Sequence, residues 1–487
     1  MGAWKEPKGE LLFFALVFLS LFVFFTEVHP LVMFDGDDWV NMSKQRNIAF
    51  PKWHDFNPVK VLPESLMPLA ASVAAYFVLP FLGDLVSSMM VVSAVLMAGL
   101  TTVYVYLVVQ VLKSRFSISS WVSCLLGGIF LLFHFLIFRH GDYNNAYLFW
   151  AINLTNYYHY TMPALLNASL VLYFIWKDVP GDRRMDFTRF GDCLLVFLLF
   201  LALCSNVLHS ILLAGYALID VLWNFRAWKT RRFSLGIIIA WLLTLLFEAT
   251  GGRAGQIGSS LMDLPVGQTA LAFFHVVVQD NKGIYMALAF AVLFLGGSVV
   301  LWLRRKEKDS IDAMYRSIQL KMLSLAVLWA VYEILVCAKA GGSYIVWPQV
   351  VIGFFFCLFF LMTAGAAYVF CRKPQLLAVL PILSLVIFCR TINAEQSLAE
   401  STVNGVPPAI CMAVTRDMIS QVQEAEHQGA ARVELHVPKG NDIDNWPHPN
   451  YMGPAVCRLL YGQGIIPYPI EIVIVPDMEM NRKHGMK

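Results

Sequence analysis

Apolar runs long enough to cross about 30 Å of hydrocarbon recur along this chain of 487 residues, and they leave few folds open. Within lipid every backbone N–H and C=O must be satisfied inside the segment, so such a run spans as an α-helix. Spans are expected near 11–26, 85–112, 119–138, 161–176, 190–204, 207–225, 234–248, 284–303, 321–337, 349–371 and 376–390, about eleven in all. The fifth and sixth form a hairpin around Ser205-Asn206, and the odd total puts the two termini on opposite sides. Leu11 to Phe25 is followed by Glu27-Val28-His29 rather than a small-residue cleavage site, so it reads as an uncleaved first span. Composition agrees with an all-α polytopic membrane protein: 58% hydrophobic and only 14% charged, where soluble domains carry nearer a quarter. A net charge of +3 gives no case for a nucleic-acid partner.

Basic residues orient the spans. Loops on the N-terminal side hold 20 of the 36 Lys and Arg, the opposite loops 8 and the tail 8, which predicts a cytoplasmic N-terminus. The long loops are then extracytoplasmic. The first begins at Glu27 and includes an Ala-rich apolar piece, Pro68 to Phe81, expected to lie along the interface. After Arg390 the composition turns polar, so residues 1–390 form the membrane domain and 391–487 a small extracytoplasmic α/β domain. In it a helix is expected near 416–428 with Gly429 as C-cap, and strands at 432–437 and 470–475. None of the nine cysteines has metal-type spacing; Cys411 and Cys457 stand in the tail, where an oxidising compartment would let them pair.

Three external stretches carry chemistry. Phe34-Asp35-Gly36-Asp37-Asp38-Trp39 sets three carboxylates just past the first span, where lipid would make them costly. A carboxylate there suits general-base work on a hydroxyl, although a solvated turn has the same composition. Glu248-Ala249-Thr250-Gly251-Gly252-Arg253-Ala254 supplies a guanidinium beside glycines that let a phosphate approach, and Lys282 adds a second cation. Arg253 also suits snorkelling to headgroups, and Glu248 pairing with Arg253. The loop 139–160 is crowded with aromatics and amides and holds Asp142 and His159; His209 follows in the next outward hairpin. His134 and Glu333, inside spans, are expected to be satisfied by burial.

These residues, with Asp444-Asn445-Trp446-Pro447 in the tail, resemble the GT-C superfamily of polyprenyl-phosphate-sugar-dependent glycosyltransferases. Within it the chain looks most like the bacterial Gtr-type glucosyltransferases that modify O-antigen, lipopolysaccharide or other surface polysaccharides. The resemblance covers the layout of the whole chain, on short motifs. It implies a multi-pass protein of the bacterial inner membrane that moves a sugar, glucose by analogy, from undecaprenyl phosphate to a periplasmic glycan acceptor with inversion. The catalytic candidates are then Asp37, Asp38 and Asp35, in that order. Arg253, Lys282 and Gly252 would bind the donor phosphate, and Glu248, Asp142, His159 and His209 the substrates. Asp35-x-Asp37 matches a metal-binding pair in some relatives, but carrier-monophosphate enzymes mostly work without one, so no cofactor or metal is expected. A transporter or flippase for lipid-linked glycans, or a non-catalytic partner of a polysaccharide assembly machine, are the alternatives.

Overall fold

The computed structural model describes residues 6–43, 58–138, 147–179, 183–250, 264–279, 283–392 and 406–486. Among them the chain is mostly helical, with one two-stranded sheet. Among the described residues eight helices are long and apolar enough to cross a membrane: Lys8–Val28, Pro58–Leu82, Leu85–Phe116, Arg232–Ala249, Ile284–Arg304, Ser310–Ala340, Pro348–Arg372 and Pro374–Thr391. The expected spans at 119–138, 190–204 and 207–225 appear as the shorter helices Ser120–Leu136, Phe190–Leu203 and Val207–Trp223, and that at 161–176 as Met162–Lys177. Pro58–Leu82, expected to lie along the interface in its second half, is helical throughout and long enough to cross. It ends at Gly83, whose left-handed backbone (φ 70°) turns the chain into the next helix.

Local signals fix the helix ends. Asp84 caps Leu85–Phe116 by accepting from the main-chain N–H groups of Val86 and Ser87 (3.3 and 3.0 Å), and Asp309 with Asp312 forms a capping box at the start of Ser310–Ala340. Pro348–Arg372 is the hub of the bundle: 89% of its apolar stretch is buried, against 22% for the peripheral Lys8–Val28. Gly353 on the hub lets it close on Ser310–Ala340, because a Cβ there would lie 2.3 Å from Trp329 Nε1. The basic ends of several helices are tied to carboxylates or carbonyls, with Lys113 on Glu10, Arg372 on Asp312 and Arg115 Nε donating to the Ile175 carbonyl at 2.8 Å.

The tail is a small α/β unit. Helix Pro408–His427 packs on β1 (Arg432–Pro438); helix Gly453–Gly462 crosses over to β2 (Glu471–Asp477), and Met478–His484 closes the chain. The strands are parallel, in register from Arg432 opposite Glu471 to Pro438 opposite Asp477, and parallel pairing requires such a crossover. Buried Leu435, Val437, Ile472 and Ile474 form the sheet's share of the core. Gly429 has φ 72° just past the first tail helix, as its C-cap role requires. Cys411, buried, and Cys457 are both thiols. The tail sits on the membrane domain at the Asp84 end: Arg416 pairs with Asp84 (2.7 Å) and donates to Ser87 Oγ (2.9 Å), Tyr76 Oη donates to the Gly462 carbonyl (3.2 Å), and Gln463 Nε2 donates to Ser72 Oγ (3.2 Å).

Candidate functional site

The acidic turn begins the short helix Gly36–Ser43, and two of its three carboxylates are spent on building it. Asp35 Oδ1 accepts from the Asp38 N–H three residues on (3.1 Å), while Asp38 Oδ2 reaches back to the Phe34 N–H (2.9 Å). This is the reciprocal logic of a capping box, displaced by one residue at its upstream end. The other oxygens are also taken. Asp35 Oδ2 accepts from the Asn153 amide at 2.7 Å, and Asp38 Oδ1 accepts from the Thr155 N–H (2.7 Å) and hydroxyl (2.8 Å). Asn153 and Thr155 belong to the aromatic loop, so that loop clamps the acidic turn from one side.

Both clamped carboxyls are fully buried. Burial, and then the neighbouring Asp38 charge, hold Asp35 well above the usual carboxylate range. Asp38 is pushed up to about 6 by burial, partly offset by its bonds to Phe34 and Thr155. Asp37 differs. It is half-buried in the first turn of the helix, where its main-chain carbonyl accepts from Asn41 Nδ2 (2.8 Å).

The tail clamps the turn from the other side. Its loop 441–449 is shaped by two asparagines: Asn441 Oδ1 accepts from the N–H groups of Ile443, Asp444 and Trp446, and the Asn445 amide bridges Gly440 N–H and the His448 carbonyl. The loop then meets the acidic turn directly. Gly36 N–H donates to the Pro447 carbonyl (2.9 Å), and a Cβ on Gly36 would lie 2.7 Å from the Pro449 ring. The His448 ring packs edge-on against Phe34, 4.8 Å between centroids, and Thr415 Oγ1 donates to the Met33 carbonyl at 3.0 Å. Burial lowers His448 to about 3, so it is neutral. The turn Asn450–Met452 packs on the acidic helix and brings the half-exposed Tyr451 beside the carboxylates. Its phenol is pushed up to about 12 by burial and then by the charges of Asp37, Asp35 and Asp444.

The structure therefore brings together the acidic turn, Asn153 and Thr155, and the tail segment 444–451. Sequence reasoning named Asp444 to Pro447 only through a resemblance and missed Asn153, Thr155, His448 and Tyr451. The three-residue spacing of Asp35 and Asp38 at the start of Gly36–Ser43 was a legible capping signal.

Other candidates fall elsewhere. His209 is fully buried, with the Tyr160 ring edge-on at 6.4 Å; the His159 carbonyl accepts from Asn206 Nδ2 at 2.6 Å. His159 lies about one turn along the helical stretch that Asn153 and Thr155 begin, and Tyr160 on that stretch meets His209 of the helix Val207–Trp223. Glu248 is half-buried near the end of Arg232–Thr250, within electrostatic reach of Tyr332. Arg253, Gly252, Lys282 and Asp142 lie outside the described residues. Among the described residues no group of three His, Cys, Asp or Glu is placed to hold a metal. Two grooves are prominent, and neither touches the acidic turn. One, of about 720 Å³, lies on the tail among Asp417, His436, Asp477 and Arg482; the other, about 330 Å³ and apolar, lies between Phe13, Ile129 and Phe388. Compared with known proteins, the chain matches no family model, no curated protein and no solved structure.

Proposed function

We propose that this membrane protein is an inverting glycosyltransferase that moves a sugar from a polyprenyl-phosphate carrier to a surface glycan. The observation that supports this best is the division of labour in the acidic turn. Asp35 and Asp38 are fully buried and build the turn, while Asp37 is half-buried within reach of Tyr451 of the docked tail. A carboxylate at the rim, held by buried neighbours, is positioned as a base for an acceptor that enters between the two domains.

In the proposed step the acceptor hydroxyl oxygen attacks the anomeric carbon. Its proton passes to Asp37, the bond from that carbon to the phosphate oxygen breaks, and the carrier leaves as its phosphate. Arg253 and Lys282 are the proposed partners of the departing charge. The reaction is assigned to the extracytoplasmic face of a bacterial inner membrane, with the N-terminus cytoplasmic and the tail outside.

A second reading, transport of a lipid-linked glycan, is favoured by one feature: the fully buried Glu333 within an apolar helix. Purified protein in detergent with a synthetic carrier-phosphate sugar and an acceptor glycan separates the two. Transfer with release of carrier phosphate supports the enzyme; intact donor after long incubation, with transport in vesicles, overturns it.

A further inference from the structure

Three helices meet around a set of polar atoms that the membrane domain leaves unmatched. Val207–Trp223, Ser310–Ala340 and Pro348–Arg372 pack on one another in pairs. Their register is fixed by two contacts: Tyr332 Oη donates to the Val207 carbonyl (3.0 Å), and the Trp329 indole lies against Gly353. One turn outward from Trp329 and Gly353, on antiparallel helices, stand Glu333 and Gln349. The Gln349 backbone faces the His209 ring, which puts all three side chains at one level.

Glu333 and His209 are 0% exposed and Gln349 3%. Glu333 Oε1, Gln349 Oε1 and Trp329 Nε1 lack a hydrogen bond among the described residues, and the His209 ring meets the Gln349 backbone without a well-formed one. Among the described residues the second Glu333 oxygen accepts from the Cys337 thiol, 4.0 Å away. Buried polar groups in folded proteins are nearly always satisfied, so this concentration on three adjoining helices points to something bound.

The atoms specify its chemistry. The carboxyl and amide oxygens accept, the imidazole offers one donor and one acceptor, and the Trp329 indole N–H donates, a mixture that suits a neutral ligand bearing several hydroxyl groups, which both donate and accept. Aromatic rings border the level: Tyr160 faces His209, and Tyr332 packs with Trp241. Tyr160 also lies on the helical stretch whose start grips the acidic turn. From Thr155 to Tyr160 is roughly 8 Å of helical rise, so the two contacts lie close together along one element.

We infer that Glu333, His209 and Gln349 form a buried subsite for the hydroxyl groups of the donor's sugar ring. The inference rests on the glycosyl-transfer proposal. The sugar would sit with its hydroxyls among these groups and its anomeric carbon toward Asp37.

The test is competition binding on the purified full-length protein in detergent, with polyprenyl-phosphate glucose and the same polyprenyl phosphate without sugar. Wild type should prefer the sugar-bearing lipid. Glu333→Gln and Gln349→Leu should each cut that preference about tenfold and leave bare-carrier affinity unchanged, with a wild-type melting temperature as the folding control. Two substitutions are used so that one misfolded variant does not decide the matter. If both variants keep the full preference, the cluster holds water alone and the inference is overturned while glycosyl transfer stands. If wild type shows no preference for the sugar, both fall.

Discussion

The N–H of Gly36 donates to the carbonyl of Pro447 at 2.9 Å, joining the turn after the first membrane helix to the loop of the tail domain. The contact needs a residue without a side chain, because the Pro449 ring occupies the space a Cβ would take. The acidic turn and the tail are therefore one structural unit, although most of the chain lies between them.

Gly36→Ala should break that unit. A methyl 2.7 Å from the Pro449 ring must push the loop away, at a cost of about 1–3 kcal/mol. The expected outcome is a lower melting temperature and faster amide exchange at Gly36 and at the N–H groups of loop 441–449. An unchanged melting temperature and exchange pattern would show that the tail does not depend on this contact.

Asn153 holds Asp35 in a buried place. Asn153→Leu leaves a carboxyl oxygen there without its 2.7 Å donor, and should destabilise by about 1–3 kcal/mol. Adding Asp35→Leu removes the stranded acid, so the double variant should recover part of the loss at this bond. Strictly additive losses in thermal unfolding would refute the coupling.

Titration of the docking surface has two opposed parts. Asp38 binds its proton more tightly in the folded protein, at about 6 against an ordinary 3.8, and Asp35 is raised as well. The Asp38 contribution is present below pH 4 and lost as pH rises through 6, and that of Asp35 is likewise lost as pH rises. His448 is lowered from 6.5 to about 3, so its contribution is present above pH 6.5 and lost as pH falls toward 3. Between pH 4 and 6 the two slopes oppose. Asp38→Asn should make stability rise more steeply with pH than in wild type, and His448→Phe should make it rise less or fall. Parallel curves for the three proteins would contradict the assignment.

How much of this was legible in the sequence depends on the kind of signal. The apolar runs gave the helical membrane class, and Gly429 with the alternating stretch 432–437 gave the first half of the tail domain. The helix Gly453–Gly462 was missed because it opens with Gly-Pro and is only 10 residues long, although parallel strands require a crossover there. Pro68 to Phe81 was expected to lie along the interface, yet it belongs to the continuous helical stretch Pro58–Leu82, which runs through Pro68 and is long enough to cross. At the acidic turn, composition announced three carboxylates and could not apportion them. The apportioning is done by Asn153, Thr155 and the tail, which are distant in sequence and adjacent only after folding. Glu333 was expected to be satisfied by burial, and one of its oxygens is not.

Asp84 joins local and long-range structure, capping Leu85–Phe116 and pairing with Arg416 of the tail. Asp84→Ala should cost about 1 kcal/mol through the lost cap. Arg416→Ala, at a half-exposed pair, should cost less than that, with most of the loss screened by added salt. Equal, salt-independent losses for the two variants would be inconsistent with this division.

The decisive measurement is the rate of carrier-phosphate release by purified wild type and Asp37→Asn, with polyprenyl-phosphate glucose and an acceptor glycan. The proposed role predicts turnover by wild type, a rate at least about 100-fold lower in the variant, and equal melting temperatures. A variant that transfers sugar at the wild-type rate would contradict it.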